Sequence, residues 1–475
     1  MAQNTSAQPF GMRDKVGYMF GDLANDMSFM LQSMFLMVFY TEIWHIDPRV
    51  VSFLFLVGRI VDAFTDVTMG IIVDKSPAQS DGKFKPWIRR IAGPVAIASF
   101  LMYQTGLADM NMTFKIVYMF VTYILYGSIF YTAINIPYGS MQAAITSNPN
   151  ERTQLSQFRS MGAAIAQLLI GSITPMIIYT NVNGQELVKT DATFTILAGV
   201  FSILAILFYF ICYKNTTERV KVDATQTESS QSDQPIVKQV LSSIGETFGA
   251  LKSRSLMGII VAALFLLIGQ MMMSSINNYV FPNYFNNADG LSYLNLVLPL
   301  VTLLIGVPIA PRLANRFGKK EMASVVMIVG GAVFGALYLL QTDNMYVYIT
   351  LTAIGYIGFS MFNTIIWAAI TDVVDDIEVT TDNRQDGAVY SLYSFARKAG
   401  QALAGFISGQ ALGLVGYVSG ALVQEPAVKE GIYTLGTLVP SVAFIICGLV
   451  VLFVYPLNRK RVLNNAAELE ARRNG

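Results

Sequence analysis

Lys214 to Ser255 reads "KNTTERVKVDATQTESSQSDQPIVKQVLSSIGETFGALKSRS", a polar stretch set in the middle of an otherwise apolar chain. Of 475 residues, 53% are hydrophobic and 13% charged, with a mean hydropathy of +0.49. Soluble domains carry about 25% charged residues. The chain therefore reads as a polytopic membrane protein. Outward from the central stretch, apolar runs lie at residues 17–41, 50–73, 91–108, 113–141, 160–180 and 192–213 on one side. On the other side they lie at 257–283, 292–311, 321–341, 345–371, 388–417 and 432–455. Each can form a helix across a hydrocarbon core about 30 Å thick. The expectation is an all-α membrane protein with twelve transmembrane helices in two six-helix halves, 1–213 and 257–455. A linker spans 214–256 and a tail 456–475. Inside the linker, "DATQTESSQSDQP" has a disordered composition, whereas "IVKQVLSSIGETFGAL" has the spacing of a helix lying along a membrane surface.

Basic residues cluster in every second connection. Arg13 and Lys15 precede the first run; Lys75, Lys83, Lys85, Arg89 and Arg90 follow the second; Arg152 and Arg159 follow the fourth. The series continues through the linker to Arg312, Arg316, Lys319 and Lys320, then Arg384, then Arg459, Lys460 and Arg461. The opposite connections hold Arg49, Lys115, Lys189 and Lys429. The positive-inside rule then puts both termini and the linker in the cytoplasm, of a bacterial cell membrane by the family resemblance described below. The first fifteen residues lack the apolar core of a cleavable signal. Cys212 and Cys447 sit in apolar runs as small hydrophobes, and His45 beside Trp44 reads as an interfacial loop residue. The net charge of +1 points to no nucleic-acid partner.

The loop "DKSPAQSDGKFKPWIRR" after the second run has a shorter basic counterpart, "PRLANRFGKKE", after the eighth. Two related halves produce that correspondence, and parallel repeats with substrate held between them are the architecture of major-facilitator transporters. "GRIVDAFTDVTMG", Gly58 to Gly70, then stands out, because Asp62 and Asp66 share one face of the second helix near its middle. Asp26 adds a third acid near the centre of the first. A charge at the bilayer centre costs about 2.5 to 3.5 kcal/mol on insertion scales, so three at similar depth imply a cavity and a task. Two carboxylates a turn apart, with a hydroxyl such as Thr65 or Thr132, suit a sodium ion (Asp62 and Asp66 then being its metal ligands) or an exchangeable proton. An ion pair with Arg59 is the structural alternative for Asp62.

Arg397 and Lys398 lie at matching depth in the eleventh run, "SLYSFARKAGQALAG", and Thr132 and Asn135 share a face of the fourth just before Pro137. Amide, hydroxyl, carboxylate and ammonium groups among Tyr131, Tyr138, Tyr390, Tyr393 and Trp367 suit a sugar, whose hydroxyls need paired donors and acceptors and whose ring faces stack on aromatics.

"GDLANDMSFMLQSMFLMVFYTE", "GRIVDAFTDVTMG", "GKFKPW", "NIPYGS", "NERTQL" and "DVVDDIEVTTDNRQDG" together resemble the glycoside-pentoside-hexuronide:cation symporters over nearly the whole chain. The resemblance implies a secondary active transporter, not an enzyme, that moves a glycoside, glucuronide, xyloside or related oligosaccharide with a cation by alternating access. It implies no cofactor beyond the coupling sodium ion or proton, and a functional monomer in the lipid bilayer. By the same resemblance, Asp62 and Asp66 coordinate the cation together with Thr132, Asp26 binds sugar hydroxyls, and Lys398 links sugar and cation sites. Asn25, Asn135 and Gly139 stand where the melibiose permease of that family has lysine, aspartate and tryptophan, which argues against melibiose as the sugar. Thr65 replaces an asparagine, leaving sodium and proton both open. Arg159 falls within a residue of the permease's galactoside-related arginine. The substrate set is therefore Asp26, Asn25, Asn135, Tyr138, Arg159, Tyr393 and Lys398. Lys83, Lys85 and Arg384 are expected to latch ionically to Asp372, Asp375 or Asp376 in the outward-facing state, with membrane anchoring as the other reading. A multidrug:proton antiporter on the same fold and an intramembrane prenyltransferase using Asp372 and Asp376 are the competing functions.

Overall fold

The computed structural model describes residues 9–182, 184–220, 253–382 and 386–474. Much of the expected linker and Arg384 lie outside the described residues. In chain order the helices are α1 (Met12–Val38, running on as a wider π turn over Phe39–Ile43), α2 (Pro48–Lys75), α3 (Lys85–Leu101), α4 (Met112–Ile145), α5 (Pro149–Ile178) and α6 (Thr193–Asn215). There follow α7 (Arg254–Asn283), α8 (Asp289–Phe317), α9 (Lys319–Leu340), α10 (Met345–Thr381), α11 (Asp386–Leu414), α12 (Pro426–Phe453) and α13 (Arg459–Asn474). A short hairpin of β1 (Tyr179–Val182) and β2 (Gln185–Val188) joins α5 to α6, a small addition to the all-α expectation.

Eight of these helices are long and apolar enough to cross a membrane: α4, α5, α6, α7, α8, α9, α10 and α12. Crossing by the other four of the expected twelve rests on their place in the sequence pattern. α3 has 17 residues, and α1, α2 and α11 carry charged residues near their middles. Those charges are the candidate functional groups.

Local chemistry sets the helix starts. Asp47 accepts from the Arg49 N–H at 2.7 Å just before Pro48, whose fixed φ suits a first helical position. Asn111 caps α4 through Phe114, and Asn344 caps α10 through Tyr346 and Val347. Far from the caps, apolar side chains such as Leu304 and Leu339 stand 71% and 80% exposed, as a lipid-facing surface requires.

The described residues fall into two compact units, one ending with α6 and the other beginning with α7; Val182–Glu186 of the hairpin group with the second. In the first unit α1 packs against α5 and α6, and α3 packs on α6. Gly162 makes the approach of α5 possible: a Cβ there would lie 2.5 Å from the Met19 carbonyl oxygen. Small residues are the usual means of bringing backbones together where lipid is the solvent. In the second unit α12 packs against α7 and α9, and α10 packs against α9. α13 returns beneath α10, with Asp376 accepting from Arg461 Nε at 2.9 Å and from Asn465 at 3.0 Å.

Candidate functional site

In the first unit, α2 and α4 bring two carboxylates and two hydroxyls together. Ser128 Oγ donates to Asp62 Oδ1 at 2.6 Å, and Thr132 Oγ1 donates to Asp66 Oδ1 at 2.9 Å. Each pair is spaced one helical turn apart on its own helix, so the two match rung for rung. A π turn over Leu125–Tyr131 sits at this point of α4. The Gly127 carbonyl accepts from Thr132 Oγ1 at 3.2 Å, five residues along. Wide turns of this kind free local backbone groups and recur at functional positions. Arg59 Nη1 lies 3.4 Å from Asp62 Oδ2 and its guanidinium faces the Phe29 ring at 5.9 Å. The ion pair expected as an alternative is therefore formed, beside the hydroxyl contact rather than instead of it. Thr65 Oγ1 donates back to Val61 and Asp62 carbonyls of its own helix. Its oxygen is turned along α2, and the structure does not bring it to the carboxylates.

Two turns of α1 form a second cluster. Asp26 is buried, at 8% exposure, and among the described residues no donor pairs with its carboxylate. Asn25 beside it accepts from the Tyr209 phenol at 2.7 Å, while its Nδ2 is buried without a described partner. One turn earlier, Asp22 Oδ1 accepts from Arg159 Nε at 2.8 Å. The Arg159 guanidinium lies 5.4 Å from the Tyr138 ring centroid, and Tyr138 stacks on Tyr18 at 4.7 Å. The two tyrosines each donate to the other's backbone carbonyl, Tyr138 at 2.7 Å and Tyr18 at 3.4 Å. Tyr138 is thus fully buried as a floor under Arg159. Asn135 is half-buried on the same helix as Tyr138.

In the second unit, α10 and α11 assemble an aromatic cluster. Trp367 stacks with Tyr390 at 6.3 Å and meets Tyr393 edge-on at 5.2 Å. Arg397 faces Trp367 at 5.7 Å and donates to the Tyr393 phenol at 3.5 Å. Tyr393 is buried and Lys398 exposed.

Of the residues expected to latch, Lys83, Lys85, Asp372 and Asp376 have partners inside their own units. The backbone N–H groups of Lys83, Phe84 and Lys85 all donate to the Glu218 carboxylate, at 2.8, 3.0 and 2.8 Å. An anion at the start of α3 is favoured by its unpaired N–H groups. Gly82 has φ +120, and a Cβ there would fall 2.5 Å from that carboxyl carbon, so this turn requires glycine. Lys85 Nζ donates to the Thr216 carbonyl at 2.8 Å. Burial pulls the Lys85 ammonium below the usual lysine range, against the pull of Glu218 and Asp81. Lys319 Nζ holds both oxygens of Asp372 at 2.8 Å.

The chain matches the family model described as "MFS/sugar transport protein" over residues 17–459. It belongs to that family. It is 31% identical to the glucuronide carrier protein homolog of Escherichia coli, with 98% of this chain and 97% of the relative covered. It is likewise 31% identical to the isoprimeverose transporter of Lactiplantibacillus pentosus, with 93% and 88% covered. An uncharacterized symporter of Bacillus subtilis is 30% identical over 94% and 92%. Among solved structures, a bacterial homolog of the lysosomal transporter Spinster, in an inward-facing and unoccupied conformation, has a TM-score of 0.67 at 12% identity, covering 97% and 99%. A D-xylose-proton symporter has a TM-score of 0.56 at 14% identity, covering 94% and 96%. At such identities the likeness speaks to the fold alone.

Membership makes the chain a multi-pass membrane transporter, not an enzyme, and removes the prenyltransferase reading. Within this family frame, sequence reasoning missed three partners. Ser128 carried a usable signal, since Ser128 and Thr132 repeat the four-residue spacing of Asp62 and Asp66. Asp22 carried another, four residues before Asp26. Glu218 carried none, because its role depends on where the chain returns after α6.

Proposed function

We propose that this chain carries a glycoside across the bacterial cytoplasmic membrane together with a cation, by alternating access, as a monomer with both termini in the cytoplasm. The observation that carries the proposal is the matched pairing of Asp62 with Ser128 and of Asp66 with Thr132, four oxygen-bearing side chains on successive turns of α2 and α4. Hard cations take oxygen ligands, and such carboxylates are otherwise costly in a bilayer. A sodium ion at this place would be held by Asp62 and Asp66 with the hydroxyls, and would displace the weak 3.4 Å contact from Arg59. A proton would instead reside on one of the two carboxylates.

Asp26 supplies the acceptor for sugar hydroxyls, with Tyr138 and Asn135 on α4 of the same unit. Coupling follows from charge. Closing the protein around bare carboxylates buries uncompensated charge, a bound cation relieves it, and the loaded carrier then crosses more readily than the half-loaded one. Relatives named for a glucuronide and for isoprimeverose are equally similar, so likeness supports a sugar without choosing its charge. The antiporter reading requires a mainly apolar cavity, which the acids and amide of α1 do not support.

Linkage provides the test. If cation and sugar bind one state, each tightens the other by the same factor. Titrating purified protein with glycosides, with and without sodium and at two pH values, is expected to show that factor for one ion. Equal sugar affinity under every ionic condition would overturn coupling through this site.

A further inference from the structure

We infer that Asp22 sets the charge selectivity of the sugar site: it neutralises Arg159, so that the first unit accepts neutral glycosides and discriminates against those bearing a carboxylate or sulfonate. The inference rests on the sugar-transport reading above and goes beyond it by naming the substrate class.

The geometry is that of a charge-balanced guanidinium. A guanidinium offers a planar fork that carboxylates and sulfonates fit well, and an arginine in a sugar site ordinarily invites them. Here a carboxylate of the protein already balances its charge. Asp22 holds Arg159 through Nε at 2.8 Å, with the Asp22 side chain 9% and the Arg159 side chain 40% exposed. Tyr138 covers one face of the guanidinium at 5.4 Å, and the stacked Tyr18 fixes Tyr138 in turn. Gly162 allows α5 the close approach to α1 that lets Arg159 reach Asp22.

The formal charges of Asp22, Asp26 and Arg159, −1, −1 and +1, sum to −1. An anionic sugar at Arg159 would add a second carboxylate or sulfonate to a partly buried group whose charge is already −1, which is unfavourable away from water. A neutral sugar adds no charge. Its hydroxyls donate to Asp26, whose carboxylate lacks a described donor.

The test uses full-length protein in lipid nanodiscs at saturating sodium and neutral pH. Binding is measured for matched pairs of nitrophenyl glycosides, each a hexoside and the corresponding hexuronide, with gluco and galacto rings in both anomers. For the ring that binds, the hexoside is expected to bind at least about tenfold tighter than its uronide. Asp22→Asn frees the guanidinium and is expected to close or reverse that gap, Asp22→Glu to keep it, and Arg159→Gln to widen it. A wild-type protein that binds the uronide equally or better overturns the inference. So does a gap unchanged in both Asp22→Asn and Arg159→Gln, and either variant suffices should the other fail to fold. Failure of wild type to bind any member of the panel would overturn the sugar reading itself, and this inference with it.

Discussion

A hydroxyl of α4 meets each carboxylate of α2. Asp62 also meets Arg59, so its oxygens are shared between a donor at 2.6 Å and a cation at 3.4 Å. Asp62→Asn or Asp66→Asn is expected to abolish gradient-driven accumulation, because an amide retains an oxygen but not the charge that attracts the ion. Uptake into vesicles checks this, and concentration of sugar at the wild-type level by either variant would remove that carboxylate from the site. Ser128→Ala removes a charge-assisted hydrogen bond of about 1.5 to 3 kcal/mol. It is expected to shift the cation concentration for half-maximal uptake severalfold while leaving maximal uptake largely intact. Asp26→Ala is expected to weaken sugar binding at least about tenfold at saturating cation, since each hydroxyl donated to a carboxylate is worth about as much. An unchanged dissociation constant in folded protein would return Asp26 to a structural role. At this scale the acids were legible because charge is conspicuous in an apolar run. The roles of Asp22 and Ser128 were not, because spacing places a residue on a face without saying what the next helix presents to it.

Helices α1, α4 and α5 owe their functional geometry to features that hydropathy does not register. The π turn over Leu125–Tyr131 lies where α4 presents Ser128 and Thr132 to α2. Nothing in the apolar pattern of "YILYGSIFYTAINIPYGS" announces it beyond the glycine. Gly162 is the counterpart on α5: a methyl group there meets backbone rather than a movable side chain. Gly162→Ala is accordingly expected to destabilise the protein by about 1 to 3 kcal/mol, the usual cost of overpacking, and to weaken sugar binding through Arg159. A thermal midpoint and sugar affinity both at wild-type values would contradict this. α3 depends on Glu218 for its first N–H groups. Glu218→Ala is expected to lower the thermal midpoint, Glu218→Gln to lower it less because an amide oxygen still accepts, and identical midpoints would show that water serves equally well. The basic "GKFKPW" loop is legible in the sequence as a connection between helices; its acidic partner lies over 130 residues away in the chain, beyond the reach of local pattern.

The division of the chain is legible in hydropathy alone, because six long apolar runs on each side of one polar stretch admit few architectures. That pattern is the ground for expecting twelve crossings, and α1, α2 and α11, which carry candidate functional charges, are not among the eight helices long and apolar enough to cross. Charge and hydrophobicity compete for the same positions, so the candidate site is most conspicuous where the fold signal is weakest. The choice of ion is not written in either. Thr65 is turned toward its own helix, and two carboxylates with two hydroxyls admit sodium or a proton. The measurement that tests the central claim most directly is accumulation of a labelled glycoside in sealed vesicles. It is made under a sodium gradient at fixed pH, then under a pH gradient without sodium, with membrane potential clamped in both. Cation-coupled transport predicts accumulation above the external concentration in at least one condition, abolished by Asp62→Asn. Equilibration without accumulation under both gradients would contradict it.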